Sequence, residues 1–479
     1  MKGAHHNIAV QLSLAWLSVG MPGALAQDPS RCCEDFTTDP QWESYRSRLL
    51  PNPLPVTRQD FGWRDTPHPD GTRGEIGGWI QRSLRPAWFA RTIPTRTLNE
   101  RLSASGSFAV TRDEGASGVL FGWFHETSRG WRTPNSLVFR LDGNGGKYWV
   151  FYEYGTRHWL TGGGGCFEGN RYQTTSTRPF PADGTTHAWS LDYDPAGADG
   201  NGLITFLLDG KTHTLALAPG HKADGAEFNR FGVFNLQNTG SGMEAWFRGL
   251  KLAGQPLDLG GAAGWEGRGN NAQFEDRHMR PFHDFGWMAT ARAGGKSGEI
   301  GGVIWRDEQP AYYAGKVGPL TLADELFASG RIAFHGAGSD SGVYLGWFNS
   351  MSKTNKTTSD HQEPQTNVLA VLLEGPSIVG HYFRAAYRTA RGDGVIQETG
   401  PIIRPDARVH RWSIHYAPQS GQITVQLDGD RRTLALSPEH LKRGAFFDRF
   451  GLFNLQVGGH FVDIALDDLT YTVKSKTSR

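Results

Sequence analysis

Glu126 and Glu153 are the acids in this chain whose placement most suggests paired chemistry. His125-Glu126 follows a Gly-Trp-Phe segment, and Glu153 lies within Tyr152-Glu153-Tyr154 on a later strand-like segment. Two carboxylates from different strands that converge in a cleft could serve as general acid and general base, with Tyr154 beside them as a substrate contact. A second group of residues is present twice. Glu75 with Arg82 recurs as Glu299 with Arg306, and Asn135 recurs as Asn367. An arginine fork can grip the hydroxyls or carboxylate of a sugar; the same residues could equally pin strands and turns, and duplication favours that structural role. Phe124 and Phe348 share a strand face with Gly122 and Gly346. A bare glycine floor beside an aromatic ring admits either a stacked sugar or a neighbouring backbone.

The duplication extends along most of the chain. Asp60-Phe61-Gly62-Trp63 recurs as Asp284-Phe285-Gly286-Trp287, Gly74-Glu75-Ile76-Gly77-Gly78 as Gly298-Glu299-Ile300-Gly301-Gly302, and Phe231-Gly232-Val233-Phe234-Asn235-Leu236-Gln237 as Phe450-Gly451-Leu452-Phe453-Asn454-Leu455-Gln456. Upstream, Trp42-Glu43 recurs as Trp265-Glu266. A repeat this long implies two copies of one domain, expected over 27–254 and 255–479 with the boundary in the Gly- and Ala-rich stretch before Trp265. Within each copy the apolar positions alternate, as in Val119, Phe121 and Trp123, or Trp189, Leu191 and Tyr193. That period of two specifies strands. Asp209-Gly210 and Asp428-Gly429 mark tight hairpins, while His221–Gly225 and Glu439–Gly444 suit one short helical turn each. The expected fold class is all-β, with two tandem sandwiches of stacked antiparallel sheets.

Composition sets limits. Of 479 residues, Lys and Arg total 49 against 48 Asp and Glu, a net charge of +1. No like-charge run makes a footprint for nucleic acid or anionic lipid, and no segment is apolar enough to insert in a membrane. Residues 1–26 read as a secretory leader, with Lys2, an apolar stretch from Ile8 to Val19 and the small-residue ending Ala24-Leu25-Ala26; the expected location is periplasmic or extracellular. The three cysteines, Cys32, Cys33 and Cys166, allow one bridge from Cys166 to either neighbour and leave an odd thiol. No spacing fits a zinc site. The segment Asp194–Gly202 gathers hard oxygen donors as a calcium loop does, but the second copy has a plain hairpin there, so an elaborated turn is the better reading, and no metal or cofactor is expected.

The order of Trp189–Tyr193, Ile204–Gly210, Thr214–Leu217 and Arg230–Gln237, repeated as Trp412–Tyr416, Ile423–Gly429, Thr433–Leu436 and Arg449–Gln456, resembles the concanavalin A-like lectin/glucanase superfamily, including laminin G-like jelly rolls. The resemblance implies a jelly-roll β-sandwich and a polysaccharide or oligosaccharide partner. It does not fix the activity, because lectins, glycoside hydrolases, polysaccharide lyases and adhesion modules share the fold. The E-x-D-x-E strand of its best-known hydrolases is missing. The strand His381-Tyr382-Phe383-Arg384-Ala385-Ala386-Tyr387 is loosely similar to the Y-F-K-x-G-x-Y strand of alginate-lyase-type jelly rolls, one residue short in spacing and without an evident Q-x-H companion; the similarity implies Tyr387 and His381 as catalytic groups and Arg384 as the cation for a uronate. The expectation is a secreted glycan-active protein that binds and cleaves an extracellular polysaccharide, a glycoside hydrolase ahead of a lyase. The alternative is a non-catalytic, lectin-like or adhesion protein.

Overall fold

The structure is a computed structural model and describes residues 31–67, 73–168, 178–278, 282–352 and 365–474. The expected leader and most of the polar loop after Ser352 lie outside the described residues. Four antiparallel sheets are present among those described, in two pairs. In the first pair a back sheet runs Lys211–Ala216, Leu203–Leu208, Thr186–Asp194, Leu102–Asp113, Gly242–Leu252, Arg73–Gln81, Val56–Pro67 and Asn271–Glu275. A front sheet runs Thr161–Gly165, Lys147–Gly155, Ser136–Gly143, Gly118–Phe124, Glu227–Asn235, Trp88–Thr97 and Trp265–Arg268. The second pair repeats this order with the equivalent strands.

The alternation read from the sequence explains the layering. Trp189, Leu191 and Tyr193 of the back sheet and Val119, Phe121 and Trp123 of the front sheet all enter one hydrophobic cluster between the sheets. Their counterparts Trp412, Ile414, Tyr416, Val343, Leu345 and Trp347 enter a second. Each fully buried large side chain contributes about 1.5–3 kcal/mol. The two hairpins form as expected, with positive φ at Asp209, Gly210, Asp428 and Gly429. The Asp carboxylates then lock the preceding strands, Asp209 meeting His187 at 2.6 Å and Asp428 meeting His410 at 2.6 Å. These duplicated histidines are therefore strand anchors.

Two short segments pair across the boundary expected near Gly254. Trp265–Arg268 and Asn271–Glu275 join strands of the first sandwich. Arg31–Glu34 and Glu43–Tyr45 join strands of the second. The equivalent Trp-Glu elements thus reach their sandwiches from opposite ends of the repeat.

Candidate functional site

Strand alternation dictates what the first front sheet shows on the side away from the core. In Ser136–Gly143, Leu137, Phe139 and Leu141 point inward, which turns Val138, Arg140 and Asp142 outward. In Lys147–Gly155, Tyr148, Val150, Tyr152 and Tyr154 point inward, which turns Trp149, Phe151 and Glu153 outward. The register sets Arg140 opposite Phe151 and Val138 opposite Glu153. As a result the Arg140 guanidinium lies 4.3 Å from the Phe151 ring centroid and 5.3 Å from that of Trp131. Its Nε donates to Glu153 Oε2 at 3.2 Å, and its Nη1 donates to Asp142. Asp142 also accepts from Arg82 Nη2 at 2.6 Å, and Arg82 donates to the Ser117 carbonyl at 2.5 Å.

This network opens on a cleft of about 600 Å³ lined by Arg82, Trp131, Arg140, Asp142 and Phe151, with Ser339 and His460 of the second sandwich on its other wall. Arg132 stands nearby, its pKa lowered by burial and by Arg140, with Glu153 opposing. Three guanidinium groups against two carboxylates leave a modest positive bias. Arginine forks, carboxylate acceptors and ring edges in one concave surface are the groups that bind a polyhydroxylated or carboxylated ligand.

The expected catalytic pair does not form. Glu126 is taken up by Arg230, which donates at 2.5 Å, and by Asn229 at 3.3 Å, whereas Glu153 is held by Arg140. Glu153 is aligned through Val138 with Gly122, and Glu126 lies further along the chain. Glu126 stands in the turn beyond the end of Gly118–Phe124, and the two carboxylates are held by different arginines, Arg230 and Arg140.

The lyase-like strand also divides. His381, Phe383, Ala385 and Tyr387 face inward, Phe383, Ala385 and Tyr387 being members of the second core; Arg384 faces outward. No ligand can meet both sides of a sheet. His381 is enclosed between Ser341, at 3.0 Å, and the Phe334 ring, and burial drives its pKa down to about 3. Tyr387 bonds His440 at 2.7 Å, as Tyr154 bonds His221 at 2.9 Å. Tyr387 is thus the counterpart of Tyr154, and both are packing residues. Arg384 is fixed by Glu374 and by the Gln397 and Glu398 carbonyls.

Several other expected contacts are structural for clear reasons. Asn135 and Asn367 sit at φ 50° and 56°, and their side-chain oxygens cap Glu227 N–H and Phe446 N–H, each at 3.0 Å. Phe124 and Phe348 are buried against Phe234 and Phe453, each pair with centroids 4.4 Å apart. The glycine floor admits a backbone and no ligand: a Cβ on Gly122 would lie 2.5 Å from the Leu137 carbonyl oxygen, and one on Gly346 2.5 Å from Ala370 Cα. Glu299 accepts from Thr290 at 2.5 Å and Ala293 N–H at 2.7 Å, pinning a loop on the second back sheet. Glu75 lies opposite Arg64 on the first back sheet, away from the cleft. In Asp194–Gly202 the Lys222 ammonium donates to the Pro195 and Gly200 carbonyls, so a cation from the chain already serves oxygens a calcium ion would need. Cys166 is buried in the first core, its pKa pushed up to about 12, while Cys32 and Cys33 lie on the second sandwich, so neither of the bridges that the sequence allows is formed.

Arg82 and Arg306 retain a common role at the rim. Arg306 meets Asp340 at 2.5 Å and Glu374 at 3.5 Å, Glu374 standing where Asp142 stands in the first copy. Arg140, Asp142, Trp131 and Phe151 were not singled out from the sequence. The available signal was the loss of Arg140 from the second copy, where Leu372 takes its place opposite Arg384. The second front sheet has instead a cavity of about 20 Å³ beside Tyr312, Phe348 and Phe453, room for one water. The side-chain oxygens of Gln365 and Gln456 are buried there without partners. The first-copy counterpart, Gln237, accepts from Gly130 N–H at 2.8 Å.

No protein-family model matches the chain, and no curated protein matches it. Solved structures do. Domains LG4-5 of the mouse laminin alpha1 chain are similar at 12% identity and a TM-score of 0.25, over 87% of this chain and 92% of that one. Peanut lectin is similar at 11% identity and a TM-score of 0.27, over 40% and 90%, and an alginate lyase from Pseudomonas aeruginosa at 12% and 0.25, over 39% and 86%. By its own stacked antiparallel sheets and strand order, the chain has a jelly-roll β-sandwich fold.

Proposed function

We propose that this chain is a glycan-binding protein that acts outside the cytoplasm, and that its ligand lies in the cleft of the first front sheet. The observation that carries this reading is the Trp131, Arg140 and Phe151 stack, tied to Asp142 and Arg82 and open to a cleft of about 600 Å³. The leader-like residues 1–26 support the location. Binding without cleavage is favoured because Glu126 and Glu153 are held by different arginines, and because Asp142, the carboxylate that lines the cleft, is itself engaged by Arg82 and Arg140, where a glycosidase needs one carboxyl free to deliver a proton.

The test is titration calorimetry of the whole protein against neutral and uronate-containing polysaccharides, run beside assays for new reducing ends and unsaturated ends. Binding that disappears in Arg140→Ala, with both product assays flat, is the expected result. Binding that survives Arg140→Ala would place the ligand elsewhere, and product formation would restore an enzymatic role.

A further inference from the structure

We propose that residues 31–48 form an exchangeable arm, and that the second sandwich can take this arm from a second copy of the same chain. The arm is integral to the sandwich it completes. Trp42 packs edge-on against Phe36 and Tyr471, with centroids 5.6 and 5.8 Å away, and tilts over Tyr313 at 5.8 Å. Glu43 accepts from Arg449 at 2.6 Å and from the Tyr312 hydroxyl at 2.5 Å. Arg31–Glu34 adds a strand to Phe461–Thr472, and Glu43–Tyr45 adds one to Tyr312–Thr321.

The first sandwich shows what the same element does when it is supplied locally. Trp265 stacks on Phe89 with centroids 5.7 Å apart, and Glu266 bonds Thr92 at 2.8 Å and Arg230 at 3.4 Å. That element follows directly from the strand Gly242–Leu252 of its own sandwich. The arm has no such local route. It precedes the first sandwich in sequence yet docks on the second, and it is joined to Val56 through Leu49–Pro55, which contains Pro51, Pro53 and Pro55.

Apart from contacts within the arm itself, such as Phe36 with Trp42, the contacts described above are made with a sandwich to which the arm is not adjacent in sequence. The identical contacts therefore form whether the sandwich belongs to the same chain or to another. Only the local concentration of the arm differs between the two cases. Reciprocal exchange between two copies would give a closed two-fold dimer.

Cys33 provides the reporter, since it lies opposite Thr470 with Sγ 3.6 Å from Thr470 Oγ1. Paired residues on antiparallel strands have Cα atoms about 4.5–5.5 Å apart, within the roughly 4.4–6.8 Å a disulfide spans. One full-length copy carries Thr470→Cys with Cys32→Ser and Cys33→Ser; the other is unaltered. The two are unfolded together, refolded at several protein concentrations, oxidised, and read on a non-reducing gel. A covalent heterodimer that grows with concentration, and is lost when the unaltered copy also carries Trp42→Ala, is the expected result. A single copy carrying both Cys33 and Thr470→Cys should close the bond within the chain. If that bond closes and no heterodimer forms at any concentration, exchange is overturned. If it does not close, the docked arm itself is refuted.

Discussion

Replacing Arg140 separates what the cleft does for stability from what it does for binding. The Arg140 and Glu153 side chains are 11% and 10% exposed, so Arg140→Ala leaves a carboxylate in a desolvated position with its main cation removed. Breaking a buried pair from one side costs about 3–5 kcal/mol. The nearby Arg132 compensates part of the charge, which points to the lower end, about 3 kcal/mol. Asp142 keeps Arg82 and should add little. For a sandwich of this size that corresponds to a drop of about 6–12 °C in Tm. Removing both charges as Arg140→Met with Glu153→Leu should recover most of the loss, because an apolar pair of similar volume replaces a buried ion pair at small cost. Urea and thermal unfolding measure the first quantity, and calorimetric titration with the bound glycan measures the second. The expected pattern is stability restored in the double variant and binding lost in both. A single variant as stable as the parent, or a double variant that regains binding, would falsify the assignment of Arg140 as the hub of the cleft.

Three further outcomes follow from the same geometry. With its pKa held down to about 3 against an ordinary 6.5, His381 stays neutral in the folded chain while the unfolded chain takes up a proton below pH 6.5; its contribution is present above pH 6.5 and declines by about 1.4 kcal/mol per pH unit as pH falls toward 3, so NMR titration of the ring should show no protonation at pH 5. Gln237→Leu strands the Gly130 N–H and should cost about 1–3 kcal/mol in denaturant unfolding, whereas Gln456→Leu removes an acceptor that has no partner and should be neutral or stabilising. Tyr154→Phe and Tyr387→Phe should each lower stability by about 1 kcal/mol and leave glycan binding unchanged, which a substrate-contacting tyrosine would not allow.

The alternation of Trp189, Leu191 and Tyr193, the Asp-Gly hairpins and the repeat itself were legible because they are local or periodic signals that packing must obey. The site was less legible because its residues are neighbours only through register. Arg140 meets Phe151 across a strand pair, and Trp131 arrives from a loop. The face a residue occupies decided the lyase-like strand: His381, Arg384 and Tyr387 share one strand, yet the spacing of three residues from Arg384 to each of the other two puts it on the opposite side of the sheet. Tyr387 looked specific to one copy because the loops between the repeats differ in length, and its equivalence to Tyr154 emerged only from their shared bonds to His440 and His221.

The two copies serve as controls for each other, and they argue against building a second cleft by one exchange. On the inward side the equivalent strands keep Tyr154 and Tyr387, each bonded to a histidine. On the outward side Arg140 is replaced by Leu372, Phe151 by Arg384 and Glu153 by Ala386, at matching register positions. Packing between the sheets constrains the first set, whereas the second set lies on the side away from that core. Leu372 is fully buried in an outer apolar cluster over which Ile396 packs, and Arg384 is already fixed by Glu374 and by the carbonyls that follow Ile396. Leu372→Arg would therefore force a guanidinium into a covered apolar patch whose carboxylate is engaged. It should cost about 3 kcal/mol or more, read as a lower urea midpoint, and create no glycan binding. If calorimetry detected binding in a stable Leu372→Arg protein, the second face would be an accessible site, and the difference between the sandwiches would reduce to a single side chain.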